Sequence, residues 1–177
     1  DLDTIRSEIV LSKSAKPDLI IGIGGGSVLD AAKILAAMTP SDSDLLDHLE
    51  VVGNQLPLIT KRLPLILIPT TSGTGSEVTR NAVIDVPQHK RKVSLRDNRL
   101  LPDIALIDPA LTDGTPKRVT LHCGLDALTQ VIEPYLSLKA NPVTDALCSQ
   151  AIPAGLKALR SLMEHETEHA RDRLSLV

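Results

Sequence analysis

Ile23-Gly24-Gly25-Gly26-Ser27-Val28-Leu29-Asp30 and Pro69-Thr70-Thr71-Ser72-Gly73-Thr74-Gly75-Ser76-Glu77 decide the reading of this chain. Each is a glycine-rich turn that follows a short apolar run, residues 18–23 and 63–68. Continuous apolar runs of this length, opened or closed by proline, read as buried parallel strands. Glycine at the end of such a strand admits close approach. The helix that follows carries partial positive charge at its N-terminus. Two turns of this kind point to a grip on a pyrophosphate, as in a dinucleotide. The same residues also suit a tight strand-to-helix turn with no ligand.

The rest of the chain extends this α/β pattern. Residues 2–13 alternate at helical spacing. Ser27 and Asp30 stand three apart and read as a capping box for a helix running to about Met38, where Pro40 stops it. Residues 40–61 are mixed and polar. Residues 82–86 and 92–95 read as a hairpin-like pair around Pro87-Gln88-His89-Lys90, and 104–108 as a further strand closed by Pro109. From Lys117 the period is helical, with helices expected over 117–138 and 142–164 and a break at Asn141-Pro142. The fold class is therefore α/β. A Rossmann-like parallel-sheet nucleotide-binding part, residues 1–113, is followed by the beginning of an all-helical domain, residues 114–177. The chain does not open on Met, starts within a helical pattern and stops without a cap. It reads as a fragment of a longer protein.

Composition narrows the function classes. Of 177 residues, 42% are hydrophobic and 23% charged, and the net charge is −3, so no basic surface invites nucleic acid. Tyr135 is the single aromatic residue, which argues against base stacking. No apolar run approaches a membrane span. Cys123 and Cys148 form no disulfide framework, and a cytoplasmic setting is expected.

The first turn fits the dinucleotide fingerprint only imperfectly. Gly22, Gly24 and Ser27 match its spacing if Ser replaces the last Gly, and Asp42 and Asp44 fall in a polar loop where a strand-end acid is wanted. The second turn sets hydroxyls at Thr70, Thr71, Thr74, Ser76 and Thr79, which suit phosphate and ribose oxygens or the turn's own backbone. Neither turn ends in the Gly-Lys-Ser/Thr of a P-loop.

Gly24-Gly25-Gly26-Ser27-Val28-Leu29-Asp30-Ala31-Ala32-Lys33 resembles the cofactor motif of the iron-containing (group III) alcohol dehydrogenases. Residues 69–79, the stretch Leu100-Leu101-Pro102-Asp103-Ile104-Ala105-Leu106-Ile107-Asp108-Pro109 and Gly124-Leu125-Asp126-Ala127-Leu128-Thr129-Gln130 are similar to three further family blocks. The resemblance implies a dehydroquinate synthase-like fold with NAD or NADP held between the α/β and helical domains. Gly25, Gly26 and Ser27 would take the pyrophosphate, and Asp30 would cap the helix near the cofactor. Thr70, Thr71, Thr74 and Thr79 would line the cleft, with Lys92 near the ribose and nicotinamide. A divalent metal, Fe²⁺ or Zn²⁺, would polarise the alcohol oxygen as hydride passes to the nicotinamide, with Asp126 its first ligand. Four residues on, the family has His and this chain has Gln130, a poor substitute at such metals. Two further family histidines would lie beyond Val177, and the ribose-binding acid would lie before Asp1.

The expected function is an oxidoreductase interconverting a small alcohol and its aldehyde or ketone. The parent protein would be a homodimer or higher oligomer, with no nucleic-acid or membrane partner, and the isolated chain would be inactive. A non-catalytic nucleotide-binding module and a metal-independent reductase are alternatives. His165-Glu166-Thr167-Glu168-His169 also fits the H-E-x-x-H of zinc proteases, although the charged residues around it read as a solvated helix face. Cys123 beside His122 would point away from it on a helix and reads as a packing residue. Glu133 has no partner visible in the sequence. Asp108 reads as ending its strand or capping the segment after it.

Overall fold

In a computed structural model of the chain, residues 1–165 and 167–177 are described, Glu168 by its backbone alone. They separate into two compact units. The first comprises Asp1–Pro69 and Ser76–Leu106. The second comprises Thr70–Gly75 and Ile107–Val177.

The α/β unit opens on α1 (Leu2–Ala15), whose first turn is capped by the Asp1 carboxylate. Then come β1 (Ile20–Gly24), α2 (Gly26–Met38), the short α3 (Leu45–His48) and β2 (Leu65–Pro69). An antiparallel hairpin, β3 (Asn81–Val86) and β4 (Arg91–Arg96), precedes β5 (Ile104–Ala105). Strands β1, β2 and β5 form a parallel sheet with β2 in the middle, Ile20 opposite Leu65 and Ile66 opposite Ile104. The parallel strands and the hairpin appear where the apolar pattern puts them. The third strand is shorter than expected, two residues in place of 104–108.

Helix α2 is apolar on nearly every face, as a helix buried on two sides must be. Leu29, Ala32 and Ala36 pack with Leu65 and Leu67 of the sheet. Ile34, Ala37 and Met38 pack with Ala82, Ile84 and Val86 of the hairpin and with Leu2 and Ile9 of α1. Each fully buried Leu or Ile contributes about 1.5–3 kcal/mol. Gly22 sets the spacing, because a Cβ there would lie 2.6 Å from Ala32 Cβ and 2.9 Å from Leu67 Cδ2. On the other face of the sheet Ile21, Ile23 and Ile104 are exposed.

Asp103 fixes the sheet's far edge. Its Oδ2 accepts from Arg62 Nη1 at 2.7 Å and from the Leu65 N–H at 2.8 Å, and the Arg62 bond holds its carboxyl below the usual carboxylate range. A carboxylate with a depressed folded pKa stabilises above its unfolded value, about 3.9, and the gain is lost as pH falls through the folded value. Replacing Asp103 by Asn should therefore cost up to about 1 kcal/mol at pH 7, the range of exposed pairs. In urea titrations the gap to the native chain should close as the pH drops below about 4.

The helical unit holds α4 (Lys117–Tyr135), α5 (Pro142–Glu164) and α6 (Glu168–Ser175). Asn141 caps α5 in a capping box with Thr144, and Pro142 occupies the first turn, as the Asn-Pro break predicts. Leu128 of α4, Ala158, Leu159 and Leu162 of α5, and Ala170 and Leu174 of α6 form its core. No helix among the described residues is long and apolar enough to cross a membrane.

Candidate functional site

The first glycine turn connects β1 directly to α2. Gly25 is the N-cap, with extended backbone and no side-chain hydrogen bond, and its carbonyl accepts from the N–H groups of Val28 and Leu29 at 2.9 and 3.1 Å. The N–H groups of Gly26 and Ser27 open the helix and have no intrahelical partner. This corrects the capping-box expectation. Ser27 lies inside the helix rather than at its cap, and Asp30 does not cap α2. Glycine at the cap leaves this helix end without a capping side chain.

Asp30 has another occupation. Its Oδ1 accepts from Ser76 Oγ at 2.6 Å and its Oδ2 from the Val83 N–H at 3.0 Å. Beside it lies Lys33, 0% exposed, whose Nζ donates to Ser76 Oγ at 3.0 Å, Thr79 Oγ1 at 3.1 Å and Asn81 O at 2.7 Å. The Asp30 carboxylate is 3.5 Å away. Burial pushes the Lys33 ammonium pKa down, while Asp30 and Glu77 oppose the shift. In the sequence Lys33 stands only as the last residue of a motif. The signal for its role is a lone cation in the apolar run from Ala31 to Met38.

Ser27, Asp30 and Lys92 border one groove of about 310 Å³ in the α/β unit, with Ala31 and Val83. The second turn divides. Ser76 and Thr79 belong to the α/β unit and spend their hydroxyls on Asp30 and Lys33, and Thr79 also donates to Ser76 O at 3.3 Å. Residues 70–75 belong to the helical unit. There Ser72 Oγ lies 2.8 Å from Ser175 Oγ, and a Cβ on Gly73 would meet the Cys123 carbonyl oxygen at 1.9 Å. The turn thus lies against the Cys123 backbone, and burial pushes the Cys123 thiol pKa up.

Asp126 and Gln130 stand one turn apart on α4, with Gln130 Nε2 donating to Asp126 Oδ2 at 2.9 Å. Among the described residues no three His, Cys, Asp or Glu side chains converge on a metal position. Asp108 caps the turn after β5 by accepting from the Ala110 N–H at 3.0 Å. The H-E-x-x-H stretch does not lie on one helix. His165 is the C-cap of α5 and His169 lies in α6 beyond the Thr167 N-cap, so the i, i+4 spacing brings no shared face. Glu166 lies outside the described residues.

A glycine turn running from a parallel strand into an uncapped helix defines an α/β nucleotide-binding type of fold. Comparison with known proteins narrows it. Residues 1–109 match the family model for iron-containing alcohol dehydrogenase, and residues 120–176 match the C-terminal model of the same family. The chain belongs to the iron-containing alcohol dehydrogenase family. It is 41% identical over 167 residues to long-chain-alcohol dehydrogenase 1 of Geobacillus thermodenitrificans, which covers 94% of this chain and 42% of that protein. It is 36% identical over 158 residues to 1,3-propanediol dehydrogenase of Klebsiella pneumoniae, covering 88% and 39%. The sulfoacetaldehyde reductase of Bifidobacterium kashiwanohense in complex with NAD⁺ superposes with a TM-score of 0.92 at 28% identity, covering 99% of this chain and 46% of that one. The NADH-dependent butanol dehydrogenase A of Thermotoga maritima gives 0.89 at 28%, covering 98% and 43%. The chain spans less than half the length of these relatives.

Proposed function

We propose that this chain binds NAD(H) or NADP(H) and is part of an oxidoreductase that interconverts a small alcohol and its aldehyde or ketone. The observation that carries the reading is the bare N-terminus of α2, with Gly25 where a capping side chain would stand. The residues fit a pyrophosphate. Gly25 places no side chain at the helix end, and the N–H groups of Gly26 and Ser27 are free of intrahelical bonds. Ser27 also borders a groove of the α/β unit with Lys92 and the carboxylates of Asp1, Asp30 and Asp85. Thr70, Thr71, Thr74 and Thr79 are proposed as further cofactor residues, and residues 1–113 as the cofactor part ahead of a helical part from 114. When bound, the nicotinamide supplies the hydride acceptor and donor. What the chain supplies is the anion grip and its orientation. A cytoplasmic setting agrees with free Cys123 and Cys148.

The test is a titration of NADH, followed by its own fluorescence because the chain has no Trp. Replacing Ser27 by Asp puts a carboxylate on the helix end that should receive the pyrophosphate. It leaves the helix itself no weaker, since acids favour helix N-termini. Binding should weaken about 100-fold, on the scale of 2–3 kcal/mol, with the melting temperature unchanged or raised. Equal NADH affinity in both proteins would remove the pyrophosphate assignment.

Asp126 with Gln130 does not fit a divalent metal, and no step is assigned to one. That observation favours the second reading, a nucleotide-binding module or metal-independent reductase. We expect no alcohol turnover by the 177-residue chain alone with added Fe²⁺ or Zn²⁺.

A further inference from the structure

The family resemblance asks for His at position 130, and the structure gives Gln130 a different occupation. Its Nε2 donates to Asp126 Oδ2 at 2.9 Å, to Gly73 O at 3.0 Å and to Thr74 O at 3.3 Å. All three partners are acceptors, so only the nitrogen of the amide can face them. The amide oxygen, the one atom of Gln130 able to ligate a hard cation, is on the side of Gly75, where an added Cβ would lie 3.4 Å from it. Asp126 therefore meets an N–H donor at the place where a paired metal ligand would present a lone pair. Gly73 is the matching feature on the other side, because only a residue without Cβ lets this turn lie against the Cys123 backbone.

We propose that Gln130 is a positioning residue that ties the Asp126 carboxylate to the Gly73–Thr74 backbone, an amide lock in the place of a metal ligand pair. Family membership serves only to mark position 130. The lock is independent of the cofactor reading, because neither hydrogen exchange nor the metal response requires a nucleotide.

The experiment uses the 177-residue chain in its native form and with Gln130→Ala or Gln130→Glu. In the native chain, MnCl₂ or ZnCl₂ should leave the melting temperature unchanged. Gln130→Ala should speed amide exchange in residues 72–75 by about 3- to 10-fold, the loss of one or two exposed hydrogen bonds, while β1 and α2 keep their native rates. Gln130→Glu places a second carboxylate against Asp126. That variant should melt lower in EDTA and recover with MnCl₂, a response that loss of packing alone would not produce. Stoichiometric Zn²⁺ uptake by the native chain that is abolished by Asp126→Asn would overturn the proposal without any Gln130 variant. Unchanged exchange over 72–75 in Gln130→Ala would overturn it equally.

Discussion

Replacing Lys33 by Met should cost the α/β unit about 3–5 kcal/mol, because it removes one partner of a buried ionic cluster and strands the others. Met nearly fills the volume, so lost packing is a minor part of the effect. What disappears is a set of hydrogen bonds from one ammonium to Ser76, Thr79 and the Asn81 carbonyl, and the neutralisation of Asp30. The Asp30 carboxylate keeps Ser76 and the Val83 N–H but loses its counter-charge in a largely buried position, 15% exposed. Domain stabilities are roughly 5–15 kcal/mol, so this change consumes a large share of the total. Urea denaturation read by circular dichroism measures it. The Lys33→Met/Asp30→Asn pair should cost clearly less than the sum of the two single changes, by about 1 kcal/mol or more. A cost below about 1 kcal/mol for Lys33→Met alone would mean that the ammonium contributes no more than an exposed pair.

Gly73→Ala should detach the second glycine turn from α4. Gly73 has φ +146°, and its Cβ would sit 1.9 Å from the Cys123 carbonyl oxygen, a backbone atom that cannot swing aside as a side-chain tip can. Backbone strain and a helix-backbone clash together should cost the helical unit about 3 kcal/mol or more. The readout is local. Burial holds the Cys123 thiol pKa above its ordinary value, so the native thiol should alkylate slowly at about pH 8. Lifting the turn should expose it and speed labelling with iodoacetamide. Gly114→Ala is a useful comparison. It has φ +70° but open space around its Cβ, so it should show strain without the faster labelling. Equal Cys123 labelling in native and Gly73→Ala chains would show that the turn does not seat on this contact.

Much of the architecture could be read from apolar periodicity and punctuation. The Leu-Ile runs around residues 20 and 65 form the parallel strands, and Pro87–Lys90 joins the hairpin, with Lys90 in the left-handed region at φ 52°. Asn141-Pro142 starts a helix through ordinary capping chemistry. Other features escaped because they depend on which partner wins in three dimensions. Ser27 and Asp30 have the spacing of a capping box, yet the Asp30 carboxylate finds Ser76 and Val83, 46 and 53 residues away. The hydroxyl-rich turn looks uniform in sequence, but Lys33 captures Ser76 and Thr79 while Gln130 captures the backbone of Gly73 and Thr74. The charged stretch after Glu164 hides a helix break at His165 and a separate α6 stabilised by Ala170 and Leu174. The departure at Gln130 was visible in the sequence. Its consequence, a donor aimed at Asp126, required the structure.

We propose the turn from Gly24 to Ser27 as an anion grip for a nicotinamide dinucleotide. Amide hydrogen exchange of the 177-residue chain with and without saturating NAD⁺ tests it most directly. The N–H groups of Gly26 and Ser27, which lack intrahelical partners, should exchange rapidly in the free chain and slow measurably on binding, with Ser27→Asp abolishing the effect. Unchanged exchange at Gly26 and Ser27 while the free and NAD⁺-bound samples differ elsewhere, or no difference anywhere at saturation, would contradict it.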